Sequence, residues 1–212
     1  LSDHGFHTFR RGLRTNSWLM DQGYLALTAG TTPGKGVGVI HGNIDWSRTR
    51  AYAMGTGQIY INLEGRERDG IVAPEDYEST CREIAAGLEA LTDPETGASV
   101  VDRVFLRGDI WRGQHVDTIA PDLHLGFADG YQSDRSGTAL GGVPEGLFAT
   151  NEQKWSGDHA ASNPADTEGF LLVNRDGISG EVHITDIAPT VLSLLGVTPP
   201  ADYEGRTLGV EQ

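Results

Sequence analysis

The chain has 212 residues, enough for one domain with a real hydrophobic core. Sixteen Lys and Arg against thirty Asp and Glu leave a formal charge of −14, which excludes sequence-independent binding to DNA, RNA or anionic lipid. Apolar residues make up 38% and include four Trp, so the chain is no disordered acidic tail; a single cysteine, Cys81, excludes an intrachain disulfide and a cysteine metal cage.

The opening Leu1-Ser2-Asp3-His4-Gly5-Phe6 carries no positive or apolar signal region and reads as the end of a buried strand entering a loop. The expectation is therefore a chain whose N-terminal part is missing. A short helix follows Asn16 and carries Trp18 and Leu19 towards Gly23, and a strand is expected over 24–27. Residues 28–50 show neither helical nor strand period and form a long loop, of the kind that often carries function. A strand over 58–62 precedes a well-signalled helix. Pro74, Glu75 and Asp76 suit a helix N-terminus, and Tyr77, Cys81, Ile84, Leu88 and Leu91 recur on one face until Pro94 ends it. Strands over 103–106 and 122–127 lead into a second long loop, 130–155. Phe170-Leu171-Leu172-Val173 is a nearly continuous apolar run, expected as a strand within 169–174 that is covered on both faces. The last helix spans 186–195, with Asp186 as its cap, Pro189 in its first turn and Ile187, Val191, Leu194 and Leu195 as its buried face. Strands interleaved with helices predict an α/β fold with a mixed sheet layered between helices. There is no repeat and no linker tract, so one compact unit, 1–212, is expected. No apolar run approaches the roughly 20 residues of a membrane helix.

Two of seven histidines directly follow an aspartate, in Asp3-His4-Gly5 and Gly157-Asp158-His159. A carboxylate beside a neutral imidazole suits a borderline divalent ion, with zinc, manganese and iron as the competing choices. Successive strand residues face opposite ways, so both members meet one ion only where a strand breaks into a loop. The bland alternative is a chance dipeptide in which Asp158 caps a turn and His159 bonds nearby backbone. His7 is expected exposed; His41, His115, His124 and His183 have no sequence partner and are expected as satisfied histidines. Gly34-Lys35-Gly36-Val37-Gly38 lacks the remainder of a phosphate-loop pattern and is expected to be a flexible loop. No G-x-S-x-G elbow is present, which leaves no sign of a serine triad.

The order of these segments resembles the type I phosphodiesterase/nucleotide pyrophosphatases of the alkaline phosphatase superfamily. The resemblance rests on Ser2-Asp3-His4-Gly5-Phe6 with Asn16-Ser17-Trp18-Leu19, then on Asp45-Trp46-Ser47-Arg48-Thr49-Arg50-Ala51-Tyr52 and Ile59-Tyr60-Ile61-Asn62-Leu63-Glu64-Gly65-Arg66-Glu67. Trp155-Ser156-Gly157-Asp158-His159 and Asp186-Ile187-Ala188-Pro189-Thr190-Val191-Leu192 complete it, in order, over residues 2 to about 208. It implies the C-terminal portion of an alkaline-phosphatase-like domain and hydrolysis of phosphodiester or nucleotide pyrophosphate bonds with two divalent ions, zinc in most of the family. Asp3 and His4 would bind the ion that activates a Thr or Ser nucleophile. His159 would bind the ion that activates water, with Asp158 orienting it. The nucleophile and the remaining ligands precede the Ser-Asp-His-Gly motif in the family, so this chain alone is expected to be inactive and to bind zinc weakly. Phosphomonoesters, phosphonates, a phosphoryl-transfer mutase reaction and a non-catalytic relative remain as alternatives.

Arg48, Arg50, Glu64, Arg66 and Glu67 form either an ion-pair network under the site or, through an arginine, a contact to substrate phosphate. Trp155 and Tyr131 either stack on a leaving group or pack the loop base. The expected partner is a small-molecule phosphate ester, with self-association of the fragment through uncovered strand faces. The single cysteine fits a bacterial cytoplasm or periplasm and does not fix the compartment.

Overall fold

A computed structural model describes residues 1–135, 138–154, 156–158, 163–164, 167–174, 176, 178 and 180–209. In chain order these form β1 (His7–Leu13), α1 (Thr15–Asp21), β2 (Ala51–Ala53), β3 (Gln58–Ile61), α2 (Tyr77–Glu89), β4 (Val101–Leu106), α3 (Arg107–Ile110), α4 (Val116–Ile119), β5 (Leu123–Phe127), β6 (Gly130–Ser133), β7 (Phe148–Thr150), β8 (Gly157–Asp158) and α5 (Ile187–Leu194). The architecture is mixed α/β. The chain gathers into two compact units, Phe6–Thr167 and, separately, Leu1–Gly5 with Glu168–Gln212.

The larger unit contains two sheets. One is antiparallel, in the order β2-β3-β5-β4. Its inward side chains, among them Ile59, Ile61, Val104, Leu123 and Leu125, are buried with Cys81, Ile84 and Leu88 of α2, three of the five positions that the helical period assigns to one face. The other is mixed: β1 runs parallel to β6 and antiparallel to β7 and β8. No helix among the described residues is long and apolar enough to cross a membrane.

Buried polar groups fix this unit as firmly as its apolar core does. Asn16 is fully buried in α1, where its side chain completes the edge of β2. Its Oδ1 accepts from the Ala53 N–H at 2.6 Å, and its Nδ2 donates to the carbonyls of Ala53 at 2.8 Å and Gly142 at 3.1 Å. Asp122, 0% exposed at its side chain, accepts a two-pronged bond from Arg66 at 2.8 and 2.6 Å, and further bonds from Arg107, from the Tyr77 hydroxyl at 2.7 Å and from the Ile61 N–H at 2.6 Å. Burial pushes the Tyr77 hydroxyl up to about 12, so it stays a donor to this carboxylate. Burial likewise pushes the neighbouring Cys81 thiol up to about 11, which leaves it an inert core group.

Several expected elements differ. Residues 24–27 form no strand; Leu27 bridges only to Ile44. The run 169–174 forms none either: Phe170 bridges Ser2, and Leu172 is 80% exposed. An apolar run becomes a strand only when a partner strand meets its backbone, and beyond Phe170 none does among the described residues. Of the expected buried face of α5, Ile187 is half-buried but Val191, Leu194 and Leu195 are exposed, while Pro189 and Thr190 are buried. His7, expected exposed, has a side chain only 9% accessible on β1.

Candidate functional site

The smaller unit carries Asp3 and His4. The Ser2 N–H donates to the Phe170 carbonyl at 2.9 Å, which fixes the start of this segment, and the chain then bends through Asp3 and His4. Gly169 makes the close passage possible, because a β-carbon there would lie 2.4 Å from the Ser2 carbonyl oxygen. The bend removes the alternation that would send adjacent side chains to opposite faces. His4 Nε2 therefore lies 3.6 Å from Asp3 Oδ2.

His4 Nδ1 is 3.1 Å from the Gly5 carbonyl, which can only accept, and Nε2 is the ring atom facing Asp3. A tetrahedral ion with ligand bonds of about 2.1 Å holds two donors about 3.4 Å apart, so the pair matches the bite of one ion. Both groups remain reachable, with the carboxylate 70% and the imidazole 36% exposed. No group of three metal-donor side chains occurs among the described residues.

Asp3 also lines a pocket of about 570 Å³ within the same unit, together with His183, Ile184 and Phe170. His183 lies 3.8 Å from the Glu181 carboxylate. Its backbone N–H and that of Arg206 hold the Asp186 carboxyl below the usual range, and Asp186 thereby ties the turn before α5 to the C-terminal segment. His183 is the residue of this pocket that sequence reasoning passed over. The only local signal was an acid two positions before it.

Of the expected metal ligands, Asp3 and His4 are brought together, whereas His159 lies outside the described residues, as does Trp155. The backbone of Asp158 pairs with His7 in the β1–β8 ladder. Tyr131 is a packing residue, buried and bonded through its hydroxyl to Asp93 at 2.9 Å and to Thr96 at 3.1 Å. Arg66 bonds Glu67 as well as Asp122, and Arg50 donates to the Thr80 hydroxyl at 2.8 Å. Arg48 is exposed. Asp122, the hub that Arg66 serves, was expected only as the first residue of a strand.

The glycine-rich segment 34–38 is a loop, as expected of it. Its backbone is tied into the second long loop by bonds from Gly34 N–H to the Val143 carbonyl, from Val143 N–H to Val37 and from Val39 N–H to Gly141, each 2.9 Å.

The chain matches no protein-family model. Searches of curated proteins and of solved structures return no match either.

Proposed function

We propose that this chain forms the C-terminal portion of an alkaline-phosphatase-like, metal-dependent hydrolase acting on phosphodiester or nucleotide pyrophosphate bonds. The observation that carries the reading is the Asp3–His4 pair: a carboxylate oxygen and Nε2 of a histidine, 3.6 Å apart at a bend where Asp3 lines a pocket. The ordered motif resemblance supplies the reaction class, and the acidic charge of the whole chain gives the pair a purpose, since an anionic substrate needs local positive charge to approach.

Asp3 and His4 would hold one divalent ion and His159 the second, with the remaining donors and a Thr or Ser nucleophile supplied by sequence that the resemblance puts ahead of Asp3. Two such ions lower the pKa of a hydroxyl and of water and neutralise charge on the entering and leaving oxygens of an in-line displacement. Within this chain the hydrogen bond from His4 Nδ1 to the Gly5 carbonyl would orient the ring so that Nε2 is the ligating atom. Asp3, 70% exposed at its side chain, would contribute a carboxylate oxygen to the ion's shell.

The test is metal content and hydrolysis of bis- and mono-nitrophenyl phosphate by the complete protein, beside its Asp3→Asn, His4→Ala and His159→Ala variants. The expected result is preference for the diester and loss of bound metal in each variant, by about 10- to 100-fold in affinity or more. A preference for the monoester moves the substrate class within the superfamily. Fewer than about one bound ion per chain, with no phosphate or sulfate ester hydrolysed, replaces the reading with a non-catalytic relative.

A further inference from the structure

The two long loops that lack periodicity meet in the larger unit. Gly38 sits at φ +149°, and a β-carbon there would lie 2.3 Å from the Gly141 carbonyl oxygen, so the loops join through a glycine contact that no larger residue fits. Side chains of α1 and the residue before it hold the second loop from behind: Ser17 Oγ donates to the Pro144 carbonyl at 2.6 Å, and Arg14 donates through Nε to Asp134 at 2.9 Å and through Nη1 to the Glu145 carbonyl. The result is a pocket of about 490 Å³, within the size range of small-molecule sites.

Its lining combines two cations, an imidazole and apolar surface. Arg14, Lys35 and His41 face it together with Val37, Val143 and Leu140, and Glu145 is its one carboxylate. Lys35 and His41 make no side-chain hydrogen bond or ion pair among the described residues, and Arg14 Nη2 makes no hydrogen bond there. On a chain of net charge −14, an unpaired Lys35 beside the uncommitted donors of His41 and of Arg14, whose charge Asp134 matches, on a glycine-built floor suits an anion. Its volume exceeds one phosphate, and its apolar wall accommodates an organic group. We propose that this pocket binds a phosphorylated small molecule, its phosphate held by Lys35, His41 and Arg14 Nη2. The assignment is independent of the Asp3–His4 reading.

The test is calorimetric titration of the whole chain with adenosine monophosphate and with inorganic pyrophosphate at low salt with a chelator present. Saturable binding is expected, weakened roughly tenfold in Lys35→Ala and again in His41→Ala, because each removes a charge-assisted bond. Both residues are exposed, so the variants retain the fold, which circular dichroism checks. Binding is expected to persist in Asp3→Asn, which separates this pocket from the proposed metal site. No saturable heat up to about 5 mM ligand overturns the proposal, and so does binding that Lys35→Ala and His41→Ala leave unchanged.

Discussion

Leu125 and Leu172 both lie in segments expected as strands, yet one is wholly buried in β5 and the other 80% exposed. The difference lies in what surrounds each run. Leu125 has hydrogen-bonded strands on both sides of β5 and α2 against the sheet. Leu172 follows a single bridge, Ser2 to Phe170, and no element covers it among the described residues. The same contrast separates α2, with a buried Cys81–Ile84–Leu88 face, from α5, where Leu195 is 72% exposed. Burial is thus a property of the layer an element joins. In the larger unit that layer is closed by paired polar groups as well as apolar ones.

The strongest way to break the contrast is to attack those polar groups. Asp122→Ala strands Arg66 and Arg107 as buried cations and leaves the Tyr77 hydroxyl and the Ile61 N–H without an acceptor, at a cost of about 3–5 kcal/mol. Urea denaturation is expected to show a lower midpoint at unchanged slope. Leu125→Ala, which opens a cavity between the sheet and α2, costs about 2–5 kcal/mol by the same measurement. Asn16→Ala comes next, at about 1–3 kcal/mol, because it leaves the Ala53 N–H buried without its acceptor. An effect of Asp122→Ala below about 1 kcal/mol would show that the carboxylate is a passenger in an apolar core.

These sites also show where sequence was legible. The period of 77–91 fixes α2 and its buried face, and the strands expected over 58–62, 103–106 and 122–127 lie close to β3, β4 and β5. β1 was missed because His7-Thr8-Phe9-Arg10-Arg11-Gly12-Leu13 looks polar. Its burial comes from distant partners: Arg11 pairs with the buried Asp93 and lies over the Phe148 ring. Asp122 and Asn16 escaped for the same reason, since their partners lie 15 to 126 positions away in sequence and meet them only by virtue of the fold, as with Asp122 to Arg107 and Asn16 to Gly142. The Asp3–His4 pair was legible because adjacency alone brings the two together once the chain bends. The Lys35–His41 pocket was not, because its second wall comes from residues a hundred positions later.

A smaller effect concerns protons. Burial holds the His124 imidazole on β5 below its usual pKa, and its Nδ1 has no hydrogen-bond partner among the described residues. The unfolded chain therefore binds a proton at this residue more readily than the folded one. Its contribution is complete above the unfolded value near 6.5 and declines as pH falls through that value towards the lower folded one. Tm is expected to drop between neutral pH and about pH 5.5, and His124→Gln should flatten that slope relative to the parent. An equal slope in both proteins assigns it to another group.

The smallest effect on stability is expected where the contrast is sharpest. Leu172→Ser and Leu195→Ser remove apolar side chains that are already mostly in water, so each should alter folding stability by no more than about 0.5 kcal/mol, against several for Leu125→Ala. Exposed apolar side chains instead favour association between molecules. Sedimentation velocity over a concentration series is expected to show self-association of the parent chain that the double substitution reduces, with the urea midpoint unchanged. A large fall in that midpoint, without any change in association, would mean that these leucines are covered within the single chain, and that its two units differ in sequence pattern more than in burial.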